Sequence, residues 1–174
     1  MKTQPKIQVG IIASEELRFS LKQKFNSDKK EEFLSGEYAA TIENKEVCLK
    51  DESGNIFYGN SFFLSSEETD SFFELKNVVI GVDFHWEQQE NQQFQGALKL
   101  IPESGKVRAI NVIQLEEYLK SVISSEMSAT SSPGLLKAHA VISRSWLLAQ
   151  IEKTKSIQTG GGLYQTSHET ETEI

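Results

Sequence analysis

Apolar and polar residues alternate in short runs over roughly the first two thirds of the chain, and then the period changes. Lys6 to Ile12 alternates Ile7, Val9 and Ile11, and predicts a first strand. Leu17, Phe19 and Leu21 alternate next and favour a second strand over a helix. The charged interval from Asn26 to Glu32 reads as a loop. Between Gly36 and Ile113 the pattern predicts strands over Tyr38 to Glu43, Glu46 to Lys50, Ile56 to Tyr58 and Ser61 to Leu64. Further strands are predicted over Phe72 to Leu75, Val78 to Asp83, Phe94 to Ile101 and Val107 to Ile113. Gly54 and Gly105 mark turns that require positive φ, and Glu103-Ser-Gly105 joins two alternating runs into an antiparallel hairpin.

From Leu115 the apolar positions fall at 115, 118, 119, 122 and 123, which is one face of a helix. Asn111 is placed to cap this helix or to turn the chain into it, and Glu116 and Glu117 occupy the first turn, where the helix dipole favours acids. Five small residues, Ser128 to Ser132, interrupt the pattern. Ser132 then reads as an N-cap and Pro133 as the first residue of a second helix. That helix, to about Lys153, is apolar nearly all round and is expected to pack on both sides. Strands first and helices after give an α+β fold rather than alternating βαβ units. The expected domain is residues 1–155, with strands over about 6–113 and helices over about 114–127 and 133–153. Residues 156–174, with Gly160-Gly-Gly162 and an acidic end, are expected to be a flexible linker or a cut-off continuation.

A chain of 174 residues, 38% apolar and 25% charged, has the balance of a globular protein that buries a core. Its formal charge of -7 and scattered lysines argue against a nucleic-acid partner. No run approaches the ~20 apolar residues of a transmembrane segment, and the N-terminus has no apolar core of a signal peptide. The single cysteine, Cys48, excludes an internal disulfide framework and reads as a small, half-buried core residue.

Candidate chemistry concentrates on the helix pair. Glu126 lies one turn beyond Val122 and two beyond Leu119, in line with the apolar face. A carboxyl buried there is desolvated, which favours its neutral form and so a proton donor to a leaving-group oxygen. The plain alternative is a helix-end glutamate that reaches water or a lysine. Arg144 interrupts the second helix, either to hold a carboxylate or a sugar, or to reach outward from the helix edge. His139 and Trp146 share a face with Ile142, where an aromatic stacks on a sugar ring or simply fills a core. His85-Trp86-Glu87 lines a cleft or forms the rim of a sheet. His85, His139, His168 and Cys48 have no metal-ligand spacing, so no metal or other cofactor is expected. No nucleophile elbow and no phosphate loop is present.

The run from Asn111 to Met127, with Glu117-Tyr118-Leu119 and Glu126-Met127, resembles the signature of the stage II sporulation protein D and amidase-enhancer (SpoIID/LytB) family. The resemblance continues through Leu136-Lys-Ala-His-Ala140 and Arg144-Ser-Trp146, and Phe94-Gln-Gly96 is similar to the family's aromatic-x-Gly. It covers roughly residues 94–151. The resemblance implies a lytic transglycosylase acting on peptidoglycan glycan strands, with Glu126 as the single acid/base. It implies a glycan contact for Arg144, beside which His139 and Trp146 are the further candidate substrate contacts, a place in the cell envelope, and, as the alternative, a glycan-binding module that enhances a partner cell-wall amidase. Without a visible export signal, a cytoplasmic place is the other expectation. Ser121, His139 and Trp146 stand where the family commonly has Gly, Gln and Tyr. Family members also carry a further region after this helix pair that helps build the cleft.

Overall fold

The computed structural model describes residues 4–68, 71–80, 88–128 and 130–159. Its elements are β1 (Lys6–Ser14), β2 (Glu16–Ser27), β3 (Lys30–Glu43), β4 (Glu46–Asp51), β5 (Ile56–Gly59) and β6 (Phe62–Ser65). They continue with β7 (Phe72–Ile80), β8 (Gln88–Gln95), β9 (Ala97–Glu103), β10 (Lys106–Gln114), α1 (Leu115–Glu126) and α2 (Pro133–Thr159). This is an α+β chain, strands followed by helices. It divides into two compact units, Lys6–Ile113, and Met1–Pro5 together with Gln114–Ile174.

In the strand unit the order is β1-β10-β9-β6-β2-β3-β4-β5, with β7 on β2 and β8 on β7. β2 is the hub. Along one edge it pairs with β3 from Glu16↔Thr41 to Ser27↔Lys30, and along the other it meets β7 at Phe19–Leu21 and β6 at Asn26–Ser27. Its alternating residues Leu17, Phe19, Leu21 and Phe25 are buried and join Leu49, Phe62, Leu64, Phe73, Leu98, Leu100 and Val107 in the hydrophobic core. Phe19 stacks on Tyr38 with ring centroids 5.5 Å apart, and Phe73 on Phe94 at 5.4 Å. Cys48 is fully buried rather than half-buried.

The interval expected to be a loop at Asn26 to Glu32 is mostly strand, because Ser27 pairs with Lys30 and only Asp28 and Lys29 turn the chain. The strand predicted over Phe94 to Ile101 is divided at Gly96, where φ is +96° and β8 ends at Gln95 before β9 begins at Ala97. Phe72 to Leu75 and Val78 onward form one strand, β7, with a register shift between Leu75 and Val78 where Asn77 has φ +53°. β9 and β10 make the expected hairpin, Glu103 opposite Lys106, with positive φ at Ser104 and Gly105. Residues 81–87, with His85-Trp86-Glu87, and His168 lie outside the described residues.

Asn111 does not cap a helix. It sits within β10 opposite Leu98, buried, with no hydrogen bond to its Oδ1 among the described residues. A side chain on Gly96 would put Cβ 2.7 Å from the Val112 carbonyl oxygen and 3.2 Å from Asn111 Oδ1. Glycine at 96 is therefore what lets β10 approach at this point.

Candidate functional site

α1 begins without a side-chain cap, since Gln114 makes no capping hydrogen bond. Its first amide, Leu115 N–H, instead donates to the Pro5 carbonyl at 3.0 Å. Leu115 and Leu119 are buried, and Glu116 and Glu117 hold the first turn. Ser121, Ser124 and Ser125 donate their hydroxyls to the carbonyls of Tyr118, Ser121 and Val122, three residues back. Met127 N–H closes the last turn on the Ile123 carbonyl. α2 starts as its sequence predicts. Ser132 Oγ accepts from Leu135 N–H at 3.3 Å, and Pro133 is the first helical residue.

α2 is not packed on both sides. Leu135, Val141, Ile142, Trp146 and Leu148 are 42 to 66% exposed. Within its unit α2 meets α1, and one helix neighbour covers only one face. The half-buried face carries Leu136, His139, Ser143, Leu147 and Gln150. Apolarity all round fits coverage all round but does not supply it.

Two polar pairs join the helices. Arg144 is bound through two parallel hydrogen bonds to Glu116, Nε to Oε1 at 2.9 Å and Nη2 to Oε2 at 2.6 Å. The hydrogen bonds to Arg144, and then its charge, hold the Glu116 carboxyl below the usual carboxylate range, and Glu116 in turn pushes the guanidinium up. Of the two readings of Arg144, holding a carboxylate is the one the geometry gives. Glu116 as its partner was not legible from α1 alone, where a first-turn acid already has a reason to be present.

At the other end of α1, His139 Nε2 lies 2.7 Å from Glu126 Oε2. Glu126 is in phase with Leu119 but it is not buried. Its side chain is 34% exposed and that of His139 16%. The buried face of α1, Leu115 and Leu119, runs out before its last turn. His139 Nδ1 is buried and has no hydrogen-bond partner among the described residues. Tyr118, half-buried on the same helix, has its phenol pushed up, mainly by burial and then by the charge of Glu126. It stays protonated at neutral pH. Trp146 is 50% exposed and takes no part in either pair.

The structure thus brings together Glu126 with His139, and Arg144 with Glu116, and leaves Trp146 at the surface. Among the described residues no group of three or more His, Cys, Asp or Glu is placed to hold a metal ion. No described helix is long and apolar enough to cross a membrane. What the site offers is one partly exposed carboxyl with one oxygen 2.7 Å from an imidazole nitrogen.

No curated protein and no solved structure matches the chain. Residues 103–173 match the SpoIID family, Stage II sporulation protein. That stretch contains β10, both helices and all four residues of the two pairs. Over residues 103–173, then, this chain is similar to the SpoIID family of stage II sporulation proteins.

Proposed function

We propose that the chain is a peptidoglycan lytic transglycosylase, or the part of one that carries its acid/base, and that Glu126 is that group. Glu126 in its acid form protonates the glycosidic oxygen between N-acetylmuramic acid and N-acetylglucosamine. The bond from the muramyl C1 to that oxygen breaks, and the glucosamine end leaves as an alcohol. The Glu126 carboxylate then takes the proton of the muramyl 6-hydroxyl as that oxygen bonds to C1, closing a 1,6-anhydro ring. No water is consumed and Glu126 returns to its starting form. One carboxyl suffices, where glycoside hydrolases use two. Peptidoglycan places the protein in the cell envelope.

The observation that carries this reading is the state of Glu126. It projects from the end of α1 with Oε2 2.7 Å from His139 Nε2 and a side chain 34% exposed to solvent. Arg144 supports the site at one remove by fixing α2 on α1 through Glu116. The test is digestion of purified sacculi with the wild-type protein and with Glu126→Gln, followed by analysis of the muropeptides. Anhydromuramyl products from the wild type alone are expected. The same products from both proteins, or from neither, refute the assignment.

The second reading is a non-catalytic glycan-binding module that assists a cell-wall amidase. The half-exposed Trp146 favours it, since an indole face stacks on a sugar ring. In that case Glu126→Gln leaves sacculus binding and amidase stimulation intact while Trp146→Ala lowers both.

A further inference from the structure

A groove of about 440 Å³ lies on the strand unit, within the size range of small-ligand sites. Such sites are mostly apolar, but this one is lined chiefly by charged and amide side chains. The strand register explains its floor. Arg18 of β2 stands opposite Ala39 of β3, and Ala39 stands opposite Lys50 of β4. Residues opposed in this way share one face of the sheet, with strands ~4.8 Å apart. Two long cations therefore flank a methyl group, and the space above Ala39 is left to a ligand.

The groups around this floor differ in how far they are already engaged. Asp51 accepts from Asn55 N–H and Asn55 Nδ2, both at 2.8 Å, and so holds its own turn. Lys76 is paired with Glu74 and Glu37. Asn91 Oδ1 accepts from Asn77 N–H at 3.1 Å, which leaves Asn91 Nδ2 as a donor. Arg18 gives Nε to Glu16 in an exposed pair and keeps its Nη groups. Lys50 Nζ is exposed and has no ion-pair or hydrogen-bond partner among the described residues. Of the acids in the lining, Glu37 and Asp51 are engaged in this way, and Glu52, in the turn after β4, is not. The free groups are thus two cations and an amide donor against one carboxylate. An apolar ligand finds nothing to bury against here, whereas a ligand with a negative charge and several acceptor oxygens finds donors on three strands.

We propose that this groove is a glycan subsite that reads a carboxylate of the muramyl unit, either the lactyl carboxylate or one on the peptide attached to it. Arg18 and Lys50 take the carboxylate, and Asn91 Nδ2 donates to a hydroxyl or acetamido oxygen of the sugar. The choice of ligand rests on the reading of the chain as a peptidoglycan enzyme.

The test is 15N-NMR titration of the full chain with three ligands. They are N-acetylglucosaminyl-N-acetylmuramic acid, the same disaccharide with an alanyl-glutamate dipeptide on its lactyl group, and di-N-acetylchitobiose, which has no carboxylate. The amides of Ala39, Lys50 and Asn77 report the groove separately from the helix pair. Saturable shifts at these amides are expected with at least one muramyl ligand, with chitobiose roughly tenfold weaker there. The tighter muramyl ligand identifies the carboxylate that is read. Arg18→Gln and Lys50→Gln, both at exposed positions, are each expected to weaken that binding about fivefold, with Lys50→Arg keeping it and added salt weakening it in the wild type. Equal binding of chitobiose, shifts confined to the helix pair, or full affinity in both glutamine variants overturns the subsite. Sacculus digestion keeps the two readings apart. Anhydromuramyl products from a wild type that shows no shift at the groove amides refute the subsite alone. Groove shifts without such products refute Glu126 as acid/base and leave the subsite standing.

Discussion

Replacing Gly96 by alanine tests how the end of β10 is held, and its cost can be worked from two independent parts. The residue has φ +96°, so any Cβ is strained there by about 1–2 kcal/mol. The added Cβ also falls 2.7 Å from the Val112 carbonyl oxygen and 3.3 Å from Ile113 Cβ, and the first of these is backbone that cannot swing aside. Forcing such an overlap apart typically costs 1–3 kcal/mol. The sum is about 3 kcal/mol, a large part of the 5–15 kcal/mol that stabilises a typical domain, and corresponds to a fall of roughly 10 °C in Tm. Gly105→Ala is the control. Its φ is +81° with nothing within 4 Å of the added Cβ, so it carries the conformational part alone, about 1 kcal/mol or roughly 3 °C. Thermal melts followed by far-UV circular dichroism compare the two. Equal Tm values for Gly96→Ala and Gly105→Ala would refute the close approach of β10 to Gly96.

The remaining predictions concern the helix pair. Ser132→Ala removes the oxygen that accepts from Leu135 N–H and is expected to cost α2 about 1 kcal/mol, read from urea melts, with Ser132→Asp restoring it. Glu116 has a depressed carboxyl, so its pairing with Arg144 adds stability above the unfolded carboxyl pKa of about 4.3 and loses it as pH falls through the lower folded value. Both side chains are partly exposed, at 31% and 42%, and solvent screening keeps the effect small. The Tm gap between wild type and Glu116→Gln should therefore be present at pH 7 and close below about pH 4. A gap that stays constant over that range would mean the pair does not act as an ion pair.

Much of the fold was legible because most strands bury one face and so alternate. Val107, Ala109, Asn111 and Ile113 of β10 all point inward, and the period shows it. β8 was legible only at its last two residues. Its sequence QQENQQFQ has a single apolar residue, yet it is a strand, paired with β7 alone at the edge. Its order comes from the ladder and from polar contacts, Gln93 with Glu74 and Asn91 with the Asn77 amide. A strand held that way leaves no hydrophobic period to read. Glu126 shows a different limit. Helical phase puts it in line with Leu119, but phase carries no information on depth, and burial ends before the last turn is reached. His139 was visible as a candidate, while its partner was not, because a contact between two helices depends on how they cross.

The serines of α1 carry a consequence for when the site exists. LEEYLKSVISSE has three serines and the β-branched pair Val122-Ile123 in 12 residues. Such a segment is too short and too poor in helix formers to stay folded in isolation. Its serine hydroxyls are turned back on its own carbonyls rather than outward. What α1 meets in α2 is His139 at its last turn and Arg144 at its first. Local opening of the helix pair and loss of the Glu126–His139 contact are then one event, so this site is assembled and dismantled with the hairpin that carries it.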